Sequence, residues 1–393
     1  MPANPGDRLR TVRKRRGMTQ SGLARESGVS VSLIRKLEQG ERRDARLETV
    51  RRLAVTLGVP TSCLVAGTDE EGATDAVLDA WAPVRKALAS PVGDVGDLEE
   101  PPTVEGVRAA LDAAVPLFSG DRFAELRAVL PPLVRDAGTL AGLSPQGRAV
   151  QVRLLHLTGW LLTQTRQFDA AERSLEAALD GSADPVQGAS TVSTLCWLRL
   201  RQGRLADARE WATRWADETE PRLSRATPDE LSAWGWLLLR LSAAAVRDNR
   251  PEEAEEALRL AHAAAVAMGR EFAPDGDFLR AFGPVTVLLK RTENAMVTDR
   301  PDVVLRLAAK VPTGGMRPTS NNRNRHLLDV ADAYTMTRQY GAAVDILADI
   351  RNAAPQWLPN QRYARDILGR IVARRRTPTA SMRSLADTVG LPL

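Results

Sequence analysis

Residues 17–40 read GMTQSGLARESGVSVSLIRKLEQG, and their spacing sets two short helices against each other across a tight turn. Thr19 opens the first, because its hydroxyl is suited to an N-cap and Leu23 and Ala24 fall inward on the helix that follows. Ser30 opens the second in the same way, with Ile34 and Leu37 as its buried side. The turn between them is Ser27-Gly28-Val29-Ser30. Gly28 stands where the first helix must end in a left-handed conformation, which glycine adopts without steric cost. Ala24 is small, so the second helix crosses close over the first.

Two helices joined in this way make a helix-turn-helix, whose second helix is placed to enter the major groove of DNA. Leu9-Arg10-x-x-Arg13 supplies a preceding helix, LETVRRLAVTL from Leu47 to Leu57 a following one, and Thr61-x-x-Leu64 opens a fifth after Gly58-Val59-Pro60. With TQxxLA, GVS and IxxLExG at matching spacings, the stretch from about Gly6 to Gly67 resembles the lambda-repressor-like, or XRE, five-helix DNA-binding domain over its full length. The resemblance implies an internal ion pair between Arg13 and Glu38 that ties the first helix to the third. It also implies that Gln20 reaches a phosphate and that Val31, Ser32, Arg35 and Lys36 face the bases. Arg42 and Arg43 then touch the DNA backbone beyond the recognition helix. One departure is Gly22, which stands where a glutamate usually completes a capping box with Thr19. The second helix is therefore expected to begin loosely, at a cost of about 1 kcal/mol.

Charge is distributed in the same sense. Residues 1–67 carry 14 Lys or Arg against 6 Asp or Glu, a net +8, whereas the whole chain of 393 residues carries +5, so the remainder sums to −3. A basic N-terminal block on a nearly neutral body is the electrostatic footprint of nucleic-acid binding. Taken alone, the run Arg13-Lys14-Arg15-Arg16 would read as a solvated helix end. Cys63 and Cys196 lie far apart and form no metal or disulfide pattern, which fits a reducing interior. No secretory apolar stretch and no run long enough to span a bilayer is present, so a cytoplasmic protein acting at the nucleoid, without membrane association, is expected.

Length and composition divide the chain into a DNA-binding domain (1–67), a linker (68–102), a helical region (103–376) and a tail (377–393) that adds at most one short helix. Within the linker, Asp75 to Ser90 has the period of one amphipathic helix around Val77, Leu78, Trp81 and Leu88. Trp81 either packs against the next domain, the preferred reading, or mediates dimerisation.

From Thr103 onward almost nothing favours strands, and a repeat emerges when segments are aligned on second helices starting at Arg122, Gln167, Arg204, Arg250, Arg300 and Gln339. The successive spacings are 45, 37, 46, 50 and 39 residues. In five of these copies a small or β-branched residue early in the second helix follows a small one twelve residues earlier: Gly159 and Ala171, Cys196 and Ala208, Ser242 and Ala254, Thr292 and Val304, Ala331 and Ala343. Ala114 with Leu126 is a weaker pair. Such pairs let antiparallel helices pack closely, and the region resembles about six degenerate tetratricopeptide repeats, with LLHLTGWLLTQTRQFDAAERSLEAAL (Leu154–Leu179) as its best copy. The fold expected is all-α, a five-helix domain followed by an α-solenoid of helical hairpins. The long spacings call for longer helices or loops.

In such solenoids the first helix of each hairpin lines the inner face. By register this places Arg153, His156, Trp160 and Gln164 there, followed by Ser193, Trp197 and Arg201, then Trp236, Arg247, Lys290, Arg325 and Asp332. Tryptophans interleaved with arginines suit a ligand bearing an acidic group or free carboxylate; the same tryptophans also serve as inter-repeat core. Asn321, Asn322 and Asn324 precede the helix at His326, either to hold a peptide backbone or as a capped polar loop.

His156, His262 and His326 fall on separate repeats without triad or metal spacing, and the acidic residues follow solvated helix faces. No enzyme, cofactor or metal is expected. The architecture resembles peptide-responsive quorum-sensing regulators. The reading that follows is a bacterial DNA-binding transcriptional regulator that binds a two-fold symmetric operator as a homodimer and senses a peptide or small-molecule effector. The alternative is a scaffold that docks a protein such as a sigma factor or antagonist.

Overall fold

The structure, a computed structural model, describes residues 5–42, 45, 47–61, 64, 80–89, 101–312, 320–375 and 377–392. Among the described residues it is built of α-helices with short 3₁₀ turns, and the one β feature is an isolated antiparallel bridge between Phe272 and Phe282.

Four helices come first: α1 (Pro5–Arg15), α2 (Gln20–Ser27), α3 (Val31–Glu38) and α4 (Leu47–Leu57). Leu9, Leu23, Ile34, Leu37, Leu53 and Leu57 meet in a small core of their own. Most of the fifth helix expected after Thr61 lies outside the described residues, as do Arg43 and the linker before Ala80. The linker helix is α5 (Ala82–Ala89). Trp81, just before it, is 1% exposed and meets Phe123 edge-on at 6.3 Å, so it packs against the helical region.

The rest is a succession of antiparallel helical hairpins: α6 (Val104–Ser119) with α7 (Phe123–Ala141), α8 (Pro145–Gln164) with α9 (Phe168–Asp180), and α10 (Pro185–Arg201) with α11 (Leu205–Glu218). Then come α12 (Pro228–Arg247) with α13 (Pro251–Met268), α14 (Pro284–Val297) with α15 (Pro301–Ala308), and α16 (Ser320–Met336) with α17 (Tyr340–Ala353). All six turns share one backbone device. The second residue before each second helix is left-handed: Asp121, Arg166, Gly203, Asn249, Asp299 and Arg338, with φ between 54° and 76°. The next residue is the N-cap in every case: Arg122, Gln167, Arg204, Arg250, Arg300 and Gln339. These are the residues on which the sequence register was counted.

The small-residue pairs sit where helices touch. A Cβ on Gly159 would lie 2.5 Å from Leu175 Cγ, and the Ser242 hydroxyl donates to the Ala254 carbonyl at 2.7 Å. A last pair, α18 (Arg362–Val372) and α19 (Ala380–Val389), ends the stack. The tail is therefore part of the core, with Met382, Leu385, Ala386 and Val389 buried.

The solenoid also closes on itself. Trp357 Nε1 donates to Gln164 Oε1 at 2.8 Å, and the Ala124 N–H donates to Gln356 Oε1 at 2.7 Å, so α7 and α8 meet the turn after α17. One continuous apolar core runs from Trp81 through α6–α9 to α16–α19. The longest repeat spacing has a physical cause as well. Between α13 and α14 the chain does not turn directly; residues 270–283 form a strap across the inner face of the helices.

Candidate functional site

Each helix of the N-terminal pair is started by its predicted cap. Thr19 Oγ1 accepts from the Gly22 N–H at 2.9 Å, and Ser30 Oγ accepts from the Leu33 N–H at 3.3 Å. The cap at Thr19 is one-sided, since Gly22 has no side chain to answer it. Gly28, at φ 68°, ends α2 by donating its N–H to the Ala24 carbonyl. Because Ile34 and Leu37 are fixed in the core, Ser32, Arg35 and Lys36 stand exposed on the opposite side of α3, with Val31 half-buried at its start. Arg42 is exposed beyond it, and Arg10, Lys14, Arg15 and Arg16 extend the positive surface along α1.

Inside, Arg13 Nε and Nη2 donate to the two Glu38 carboxylate oxygens at 2.6 and 2.7 Å, and Nη1 donates to the Met18 carbonyl at 2.7 Å. Burial works against a charged Glu38, yet hydrogen bonds from Arg13 and Gln20 outweigh it and hold the carboxyl below its usual range. The pair locks α1 to the end of α3. Gln20 Nε2 donates to Glu38 at 2.8 Å, so the amide expected at a phosphate is half-buried and keeps one N–H for that purpose.

The profile of the helix-turn-helix family matches residues 9–62. Those residues form a helix-turn-helix domain of XRE type. Over 61 residues the chain is 39% identical to RghRB of Bacillus subtilis (strain 168), an uncharacterized HTH-type transcriptional regulator; the match takes in 16% of this chain and 44% of that protein. The chain therefore spans under half the length of this curated relative. A solved structure of a PrgX mutant aligns over 98% of this chain and 99% of that one, at 10% identity and a TM-score of 0.27, too low to bear on fold or function.

The helix-turn-helix domain rests on two hairpin turns of the solenoid. Arg51, on α4, donates from Nε to the Val246 carbonyl at 3.2 Å, and the Thr61 N–H reaches the Asp248 carbonyl at 3.4 Å. Arg52 lies 3.8 Å from Asp299. These contacts leave Ser32, Arg35 and Lys36 exposed.

The inner face of the solenoid is roofed by the strap. Phe272 and Phe282 exchange backbone hydrogen bonds of 3.0 and 2.9 Å, which close it into a loop. Asp277 pairs with Arg153, Phe278 meets Trp160 edge-on at 5.3 Å, and the Ala281 carbonyl accepts from Trp236 Nε1 at 2.9 Å. The Ser232 hydroxyl donates to the Arg280 carbonyl. Beneath the strap lies a hollow lined in part by Trp160, Ser193, Trp236, Arg240, Asn321 and Asn322.

The inner-face residues expected from the register thus divide into groups. Trp160 and Trp236 line the hollow, and Arg153 holds the strap. Trp197 lies beside them, stacked with Arg240 at 5.7 Å and Arg201 at 5.8 Å. His156 is buried and shares a 2.8 Å hydrogen bond with Thr194; burial pushes its imidazole down to about 4. Gln164 is fully buried on Trp357. Arg247 and Lys290 converge on Glu293, Lys290 at 2.9 Å. Arg325 pairs with Asp329 at 3.3 Å and lies over the Tyr363 ring, while Asp332 accepts from Tyr363 and Arg370. Asn321 accepts from Trp357 Nε1 at 3.2 Å, and Asn324 is buried. Arg240 and the strap are not among the residues that the register places on the inner face. Arg240 follows Trp236 by four residues, one turn along the same face, and that spacing was the available signal.

Proposed function

We propose that this protein is a DNA-binding transcriptional regulator whose helix-turn-helix domain reads an operator and whose solenoid takes an effector. The observation that carries the reading is the exposed Ser32, Arg35 and Lys36 face of α3 on a domain of net charge +8 that matches the helix-turn-helix family. The regulator named among its relatives supports the same assignment.

Arg35 supplies bidentate readout, with guanine its natural partner, and Lys36 adds a second donor at the groove floor. Gln20, Arg42 and Arg43 hold phosphates, so affinity falls as salt rises. One such domain covers a half-site; a two-fold symmetric operator and a homodimer follow from that geometry. The protein acts in the cytoplasm, on the nucleoid.

The route from effector to operator runs through the contacts between domain and solenoid. Glu293 and Arg247 pair beside the hollow, Val246 is the next residue along, and its carbonyl holds Arg51 of the helix-turn-helix domain. An effector that prefers one arrangement of these contacts shifts the orientation of the reading heads. Genome-wide mapping of bound DNA, with intact protein and an Arg35→Ala, Lys36→Ala double variant, tests the proposal. Sharp peaks sharing a two-fold symmetric motif and lost in the variant are expected; the absence of specific peaks with intact protein overturns it.

A further inference from the structure

Arg240 lines the hollow with its guanidinium in no ion pair among the described residues. Its Nε donates to the Ser193 carbonyl at 3.1 Å and hydroxyl at 3.3 Å, and its Cζ lies 4.7 Å from the centre of the Trp236 ring. Among the described residues no carboxylate pairs with it, whereas Arg153 has Asp277 and Arg280 has Asp229. The two terminal nitrogens, with four N–H donors, are left without a carboxylate to take them. Burial pushes the Arg240 pKa down to about 10, and Glu293, nearby but paired with Arg247 and Lys290, offsets this only in part.

We infer that the hollow beneath the strap binds a small monocarboxylate, its anion held end-on by Arg240 and its apolar body between Trp160 and Trp236. Guanidinium and carboxylate match as a planar fork, and Arg240 is half-buried, so the contact is less screened than on an open surface. The hydroxyls of Ser190 and Ser193 line the same wall and add neutral donors. One unpaired cation suits one negative charge; a phosphate dianion would need a second, and Arg280 is already engaged by Asp229. The strap decides the size. With the strap in place the hollow has room for about one water molecule beside Phe278, so only what displaces Phe278 from Trp160 can enter, and a small ligand needs the least displacement. The acid therefore enters as the strap yields, which places the strap between ligand and groove. As a binding site this stands on its own geometry; as an effector site it rests on the function proposed above.

Trp236 and Trp197 flank Arg240, so tryptophan fluorescence reports binding directly. The full-length protein is titrated with phenylacetate and 3-phenylpropionate, with the two corresponding amides, and with inorganic phosphate. Saturable binding of an acid, with its amide and phosphate at least tenfold weaker, is expected. Arg240→Met is expected to weaken the acid about ten- to hundredfold, and Arg240→Lys, which keeps the charge but not the fork, to fall between. Equal affinity for acid and amide, no saturable binding of either acid, or a folded Arg240→Met that binds as the unaltered protein does would each overturn the inference. Should Arg240→Met not fold, the comparison of acid with amide still decides. Operator affinity, measured with and without the acid, separates the two proposals. An acid that binds but leaves operator affinity unchanged supports the site and removes its effector role. An operator response to culture extract that survives in Arg240→Met removes the effector role of the site and leaves the regulator standing.

Discussion

Arg51 of the helix-turn-helix domain donates to the Val246 carbonyl at 3.2 Å, joining two residues 195 positions apart in sequence. The carbonyl is near the C-terminal end of α12, where helix carbonyls lack their own partners and welcome a cation. Burial lowers the Arg51 pKa, so the guanidinium has given up much of its water for this contact. Arg51→Ala should weaken the docking by about 1–2 kcal/mol without touching the recognition face. Operator binding by the variant should persist, while proteolytic cleavage between the domain and the solenoid accelerates. Unchanged cleavage would remove Arg51 as the link.

The recognition face yields a pair of contrasting outcomes. Arg35→Ala should cost about 1–3 kcal/mol at one base pair and relax preference there if Arg35 makes the bidentate base contact proposed for it. Arg42→Ala should weaken all sequences alike and reduce the slope of log affinity against log salt by about one. Competition between operator variants at two salt concentrations checks both. A uniform loss from Arg35→Ala would move Arg35 from the bases to the backbone.

Glu38 is where the reading face meets the core. Glu38→Ala leaves the Arg13 guanidinium buried at 8% exposure without its carboxylate, and removes the partner of Gln20. An uncompensated buried charge costs on the order of 3 kcal/mol. The domain should melt at lower temperature and lose operator affinity, and Arg13→Met in the same chain should restore part of that stability by removing the stranded charge. Failure of the second change to rescue the first would mean the pair acts on DNA binding by another route.

Much of this molecule was legible because its signals are local. The six second helices begin one residue after the positions counted in the sequence, since small pairs such as Gly159 and Ala171 recur at a fixed offset within one hairpin. The left-handed turns were less legible: Asp121, Asn249 and Asp299 tolerate that conformation, but Arg166 and Arg338 give no such signal. The strap and the closure of the solenoid were not legible. Asp277 finds Arg153 across 124 residues and Trp357 finds Gln164 across 193, and no periodicity encodes either meeting. That is why Gln164, placed on the inner face by register, is spent in the core.

Gly235 gives access to the strap. A Cβ there would lie 2.2 Å from the Phe282 ring, so Gly235→Ala must displace the ring that anchors the strap's end. Overpacking of this kind costs about 1–3 kcal/mol. Trypsin should then cut at Arg270 and Arg280 faster than in the unaltered chain, while the recognition face is unaffected. Equal cutting rates would mean that Phe282 moves without releasing the strap.

The pH dependence of stability follows from two buried histidines. Burial pushes His156 and His326 each down to about 4, against about 6.5 in an unfolded chain. Between those values the unfolded state binds protons that the native state refuses, so stability rises with pH there. The stabilisation is complete above about 6.5 and is lost as pH falls toward 4, on the order of 1–3 kcal/mol per histidine. Glu38 acts in a lower window: its depressed carboxyl stabilises above its unfolded pKa, near 4.5, and that contribution is lost as pH falls further. Melting temperatures at pH 7.5, 6.0 and 5.0, at constant ionic strength, should therefore decline, a decline that Asp329 partly offsets because burial raises its carboxyl to about 6 and it binds a proton more readily in the folded chain. His156→Gln together with His326→Gln should flatten the decline, because an amide replaces the imidazole on Thr194 without taking up a proton. A decline of the same slope in the double variant would assign it to other groups.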